Sequence, residues 1–247
     1  MHHDTDAARP DEARSPAVWL FRLEGATVRW DWRNGPPDLI QLEPWRRPKA
    51  RAMSRHTPTH AYSQTTKTHL AVESGIEREL VEELDGDPHV SWMVTQPLQL
   101  QFREGPQPRL RHVPDLLVVE DGRVVLWDVR PLDKQNDDFQ RTTQLTRTAC
   151  EEVEWDYRVF AGHPPISRIN HLWISAYRIP SLHISAYTDL IKNGCQDGTI
   201  RTVGDVAARD SGYGQLTSAM WHLIWCRRLA CNLDAPITPL TALTWQA

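Results

Sequence analysis

Two aspartates within residues 113–131 carry the first chemical argument in this sequence. Pro114-Asp115 opens one run rich in Val and Leu, Asp128-Val129-Arg130 closes a second, and Asp121-Gly122 stands between them. Asp-Gly flanked by such runs is a strong signal for a two-residue hairpin loop. With Asp121 and Gly122 as the loop, Glu120 faces Arg123. Counting outward then sets Asp115 opposite Asp128, with Cβ atoms about 5 Å apart. Leu117, Val119, Val124 and Leu126 share that face by alternation, as does Arg130. Like charges directly opposite destabilise a hairpin, and carboxylates beside an apolar face are costly unless paired or metal-bound. One reading is a solvated hairpin end with Arg130 as ion-pair partner. The other is a divalent-cation site, since Mg²⁺ takes one or two carboxylates together with water and phosphate oxygens. The register decides, because a slip of one residue moves an aspartate to the other face.

A third carboxylate comes from a helix. Residues 73–84 place Ile76, Leu80, Val81 and Leu84 in one arc at about 100° per residue. Glu77 and Glu73 fall in the same arc, whereas Arg78, Glu79, Glu82 and Glu83 fall outside it. Ser74 lies three residues before Glu77, the spacing of a capping box. Capping and a site role are both open for Glu77. Among other candidates, His56 and His60 have the i, i+4 spacing of helical metal ligands, but Pro58 between them argues against a helix. Cys150, Cys195, Cys226 and Cys231 show no C-x-x-C spacing, which favours reduced structural thiols over a zinc site. Arg46, Arg47, Lys49, Arg51 and Arg55 form a basic run without periodicity, either a solvated loop or an arm that contacts phosphate.

These residues need a scaffold. At 247 residues the chain fits one large domain or two modest ones, and eleven tryptophans promise well-packed cores. A net charge of −4 means that nucleic-acid contact must come from local basic patches. No apolar run approaches the roughly 18 residues of a membrane span, and the start lacks a signal-peptide core, so a cytoplasmic protein is expected. Residues 1–16 read as a polar tail. Residues 18–32 suggest a hairpin in which Leu20, Val28 and Trp30 alternate with polar positions. Strands follow at residues 89–94 and 98–102, then the hairpin of residues 113–131, a helix at 138–153 and a strand at 157–160, an α/β arrangement in which the last helix is a crossover that sets the final strand alongside the sheet. Beyond residue 166 the pattern turns helical, at residues 171–177, 184–192, 202–209 and 215–229. Residues 233–244, broken by prolines, could supply a wing-like hairpin, and the last two helices with it resemble a winged helix-turn-helix.

A helix carboxylate, Pro114-Asp115 on one strand and Asp128-x-Arg130 on its neighbour resemble the PD-(D/E)xK nuclease core. Glu73-Ser74-x-x-Glu77, Leu84-Asp85-x-Asp87-Pro88-x-Val90, Gln96-Pro97, Pro114-Asp115 and Asp128-Val129-Arg130-Pro131 are together similar to TnsA-like heteromeric transposase endonuclease subunits. The likeness covers residues 65–160 and extends loosely through Leu223-x-Trp225 and Leu233-x-x-Pro236. It implies an α/β restriction-endonuclease-like core, a mixed sheet flanked by helices, followed by a small winged-helix-like domain. The division would be a tail and basic arm over residues 1–64, a nuclease-like domain over 65–165 and a helical domain over 166–247. The implied activity is Mg²⁺-dependent hydrolysis of one DNA strand at transposon ends, with Mn²⁺ as a substitute ion. The implied partners are double-stranded DNA, a DDE-type transposase and an AAA+ ATPase regulator, on which the C-terminal domain would dock; no membrane is involved.

By the same likeness Glu77, Asp115 and Asp128 would hold the metal, and Arg130 stands where the pattern has lysine. Arginine is effectively always protonated, which makes it a poor base although it can orient water or neutralise developing charge. Lys134, four residues on, is a candidate substitute. The lost lysine also leaves a non-catalytic assembly subunit open, and a stand-alone restriction or repair nuclease would share the same core.

Overall fold

The structure is a computed structural model, and it describes residues 17–46, 59–102 and 110–246. The polar tail, the basic run from Arg47 to Arg55 and His56 lie outside the described residues. The fold is α/β. In chain order the elements begin with β1 (Ala17–Leu23), β2 (Ala26–Arg29), β3 (Leu42–Glu43), β4 (Thr59–Tyr62), β5 (His69–Val72) and α1 (Gly75–Asp85). Then come β6 (Val90–Thr95), β7 (Leu98–Phe102), β8 (Leu110–His112), β9 (Leu116–Glu120), β10 (Arg123–Val129), α2 (Asp137–Glu151) and β11 (Asp156–Phe160). The chain continues through α3 (Pro165–Ser175), α4 (Ile184–Asp197), α5 (Val203–Arg209), α6 (Gln215–Trp225), β12 (Leu229–Ala230) and β13 (Thr244–Trp245). They form two compact units interleaved in sequence: residues 1–47 with 94–159, and residues 48–93 with 160–247.

In the first unit one sheet runs β2-β1-β7-β8, with β3 also paired to β1. The hairpin expected over residues 18–32 is present, closed by Glu24-Gly25 with both residues at positive φ. Its buried face is Ala17, Trp19 and Phe21 rather than the parity of Leu20. The larger rings decide that choice. Trp19, Trp32 and Trp155 meet edge to face with centroids 5.1–5.3 Å apart, and Phe21 packs beside them. The second sheet has the order β11-β10-β9-β6, and β6 enters this unit at Val94. Asp121 and Gly122 have φ of 49° and 77°, both positive as a type I′ turn requires. The ladder keeps the expected register from Glu120↔Arg123 to Leu116↔Trp127. Leu116, Leu117 and Val118 are all fully buried, so β9 is covered on both faces.

The register stops one step short of the aspartates. The next hydrogen-bonded pair would be Pro114 with Val129, and Pro114 has no N–H to give. Val129 N–H instead bonds Asp115 Oδ2 at 2.7 Å, and Asp115 N–H bonds the Trp127 carbonyl at 3.0 Å. Asp115 is thus drawn one residue off the face-to-face position opposite Asp128. Beyond the hairpin, Asn136 Oδ1 caps α2 by accepting from Phe139 N–H at 3.0 Å, and α2 buries Thr146, Ala149 and Cys150.

In the second unit the hairpin β4–β5 precedes α1, an element that no periodicity in the sequence reveals. Leu80, Val81 and Leu84 of α1 are buried as the apolar arc requires. Glu79, expected outside that arc, is buried too, because Arg168 of α3 bonds its Oε1. α3 starts at Pro165 and α4 runs through Asn193-Gly194 to a left-handed Gly198, both longer than expected. Gly194 does not stop its helix; it makes room for Ile200, whose Cδ1 would lie 2.6 Å from an added Cβ. α6 ends at Trp225, before Arg227 takes positive φ, and seven of its residues are buried. It is the centre of a core shared with Ile174, Ile191, Ile200, Val206 and Leu243. The wing-like hairpin reduces to the two-residue strands β12 and β13, and Asn170 pins their connection by donating to the carbonyls of Leu233 and Ala235, both at 2.8 Å.

Candidate functional site

Asp128 stands near the end of β10 and is 2 % exposed. Its Oδ2 takes two donors, the Tyr157 hydroxyl from β11 and His112 Nε2 from β8 at 2.9 Å. Its Oδ1 is buried and has no hydrogen-bond partner among the described residues. A carboxylate removed from water needs its lone pairs satisfied, and among the described residues Glu79 Oε2 is buried and unbonded in the same way. The surroundings hold their protons firmly. Burial, and then the charge of Asp128, push the Tyr157 phenol far above its usual range. Burial, followed by the same charge, pushes the Cys150 thiol up to about 12.

Asp115 lies half-buried just before β9. Its Oδ2 accepts from Val129 N–H, and its carbonyl accepts from Gln96 N–H at 2.8 Å. Arg130 is exposed. Its Nε donates to the Lys134 carbonyl at 3.0 Å, and its guanidinium lies 5.7 Å from the centre of the Phe139 ring. Gln135 Nε2 donates back to the Arg130 carbonyl at 2.9 Å, so Arg130 braces the turn that leads into α2.

Glu77 belongs to the second unit. Its Oε2 accepts from Glu73 N–H at 2.8 Å and its Oε1 from Ser74 Oγ at 3.0 Å, while Ser74 Oγ accepts from Glu77 N–H at 3.2 Å. The capping role expected from Ser74-x-x-Glu77 is therefore built, displaced by one backbone donor.

No three His, Cys, Asp or Glu side chains among the described residues of the first unit bring ligand atoms within 4.8 Å of one another. A hard cation there would draw its remaining ligands from water and phosphate, as Mg²⁺ ordinarily does. His112 and Tyr157 are the residues that sequence reading misses. No spacing links positions 112, 128 and 157, and only the meeting of three strands brings them together. Glu83, His163 and His171 of the second unit form a separate group of potential ligands, with Glu83 on the helix face expected to be solvent-directed and His163 in a Gly-His-Pro-Pro stretch that reads as punctuation.

Arg46 is the one member of the basic run that is described, and its Nε donates to Gln96 Oε1 at 3.3 Å. No helix among the described residues is long and apolar enough to cross a membrane. No protein-family model matches the sequence, and no curated protein does.

Proposed function

We propose that this chain is the Mg²⁺-dependent DNA endonuclease subunit of a heteromeric transposase, hydrolysing one strand at transposon ends. The observation that carries the reading is the buried Asp128 with one oxygen unbonded, on the strand beside Pro114-Asp115. The sheet order β11-β10-β9-β6, with α1 before β6 and α2 between β10 and β11, supports it, since a PD-(D/E)xK core has helix, three strands, helix, strand; β7 and β8, which fall between β6 and β9 in the chain, belong to the other sheet. Asp128 and Asp115 would hold the ion, while the carboxylate of Glu77 caps α1. Bound Mg²⁺ supplies Lewis-acid polarisation of the phosphate and a more acidic water. The remaining work belongs to the chain. Tyr157 and His112 fix one oxygen of Asp128 and so aim the other, and the Val129 N–H does the same for Asp115. Arg130 would neutralise charge as it develops on the phosphate.

One observation favours a second reading, a non-catalytic subunit that keeps the fold for assembly. Arg130 is engaged with Lys134 and Phe139, in the position where a nuclease of this pattern has lysine. In both readings the buried residues of α6 serve the core of the second unit, and the C-terminal segment would dock on partner subunits.

Strand-specific cleavage of transposon-end DNA, with partner subunits present, tests the proposal. Wild type should nick in Mg²⁺, and Asp115→Ala and Asp128→Ala should not. Nicking at the wild-type rate in both variants sinks the assignment, and a wild type that assembles without cutting selects the second reading.

A further inference from the structure

The second unit holds a cluster that the nuclease reading does not use. We infer that Glu83, His163 and His171 form a Zn²⁺ site that clamps α1 to the start of α3. Each residue offers one ligand atom, and these atoms all lie within 4.8 Å of one another. Tetrahedral zinc with bonds of about 2.0–2.1 Å needs ligand atoms roughly 3.3 Å apart, a contraction that side-chain torsions can supply.

The geometry without an ion is unsatisfied. His163 Nε2 lies 3.0 Å from Glu83 Oε2, yet it is buried and the two do not meet at a hydrogen-bonding angle. A nitrogen and a carboxylate oxygen stand side by side at ion-pair distance, a pair that either a proton or a cation can bridge. A cation placed before both would use the two lone pairs at once. The imidazoles of His163 and His171 are stacked, with centroids 4.1 Å apart and planes at 9°. Two stacked imidazolium ions would repel, whereas neutral rings are the form that binds metal.

Two of the ligands are also held in place. Phe160 sets its ring edge-on to His163 at 5.1 Å, and the positive φ of Gly162 turns the chain into that residue. Arg227 lies 3.5 Å from Glu83 Oε1 and bonds Asp87, which fixes the glutamate and leaves Oε2 for the ion. A cleft lined by Glu82, Glu83, His171, Leu172, Trp225 and Arg227 opens beside the group, so water can take a fourth position. The apolar members of that lining lower the local dielectric and strengthen the attraction for a cation. Two imidazoles and one carboxylate suit zinc, whereas magnesium prefers oxygen ligands alone. The site is thus distinct in chemistry from the Mg²⁺ assigned to Asp115 and Asp128, and it stands or falls without the nuclease reading.

The test uses the full chain stripped by a chelator and dialysed against micromolar Zn²⁺, with metal analysis of the protein. Wild type should retain one zinc per chain in the presence of millimolar Mg²⁺. Glu83→Gln, His171→Gln and the double variant His163→Gln/His171→Gln should bind at least tenfold more weakly, with unchanged circular dichroism. Co²⁺ added to the stripped wild type should give visible d–d absorption without a thiolate charge-transfer band. That reading excludes the cysteines and does not depend on any variant folding. Failure of wild type to retain zinc, a thiolate band, or equal affinity in the double variant would each overturn the inference.

Discussion

Asp85 and Asp128 are buried carboxylates, one in each unit, 6 % and 2 % exposed. Asp85 closes the end of α1 onto the β4–β5 turn. Its Oδ1 accepts from Ser63 Oγ at 2.6 Å and Thr65 N–H at 2.8 Å, and its Oδ2 accepts from Gln64 N–H at 2.7 Å. Among the described residues, Asp128 has both of its donors on Oδ2 and none on Oδ1. Burial of charge is therefore no mark of a site by itself, because Asp85 is saturated and purely architectural. The distribution of donors is what separates them: closed around one aspartate, open on one side of the other.

The largest expected effect sits on that difference. Asp128→Ala should lower Mg²⁺-dependent nicking in the assembled system by on the order of 10³-fold, the scale of losing a charge that acts directly on the transition state. Asp85→Asn should leave the rate per folded molecule near wild type. Strand-resolved nicking, normalised to the folded fraction, checks both. Equal losses in the two variants would erase the distinction.

Stability should order the pair the other way. Asp85→Ala strands a hydroxyl and two backbone N–H groups, at about 3 kcal/mol for the set. Asp128→Asn keeps an acceptor for Tyr157 and His112, so without metal it should cost about 1 kcal/mol or less. Urea denaturation in chelator measures both. Mg²⁺ should then stabilise wild type and not Asp128→Asn, since a ligand that binds only the native state raises its stability. An Asp128→Asn loss as large as that of Asp85→Ala would show Asp128 to be structural as well.

Much of this contrast is hidden from the sequence. The Asp121-Gly122 turn and its register are legible because turn chemistry is local, and so is the Ser74–Glu77 cap. The register fails at Asp115 for a reason that is also local, the missing N–H of Pro114, but it emerges only when the next ladder bond is counted. Strand parity in β1 is misjudged because both parities carry apolar residues, and the Trp19–Trp32–Trp155 cluster decides between them. Tyr157 and His112 carry no signal, since they reach Asp128 from strands 29 and 16 residues away. Asp85 is equally silent, read as part of a family-like string when its work is to hold a turn twenty residues earlier.

A smaller effect tests how Asp128 is aimed. Tyr157→Phe deletes one of two donors on Oδ2 and leaves His112 in place. Loss of a hydrogen bond to a charged group should cost about 1.5–3 kcal/mol in urea denaturation. Nicking should fall as well, because Oδ1 is aimed only while Oδ2 is fixed. A variant as stable as wild type would mean that the hydroxyl does not restrain the carboxylate, and the open oxygen would have no defined direction.

The slightest perturbation asks whether Oδ1 is dry at all. Cys150, fully buried on α2, has its thiol pushed up to about 12, by burial first and the Asp128 charge second. At pH 8 it is therefore almost wholly protonated, and a thiol reagent must also reach it. Cys195, half-buried in the second unit, should label first in native protein, and Cys150 last. Asp128→Asn should quicken Cys150 only slightly, because the leading cause of its raised pKa remains. Mass-mapped labelling with a thiol reagent follows each site. If Cys150 labels as fast as Cys195, water reaches the interior beside Asp128. Oδ1 would then be solvated rather than bare, and its difference from the saturated Asp85 would no longer point to a cation.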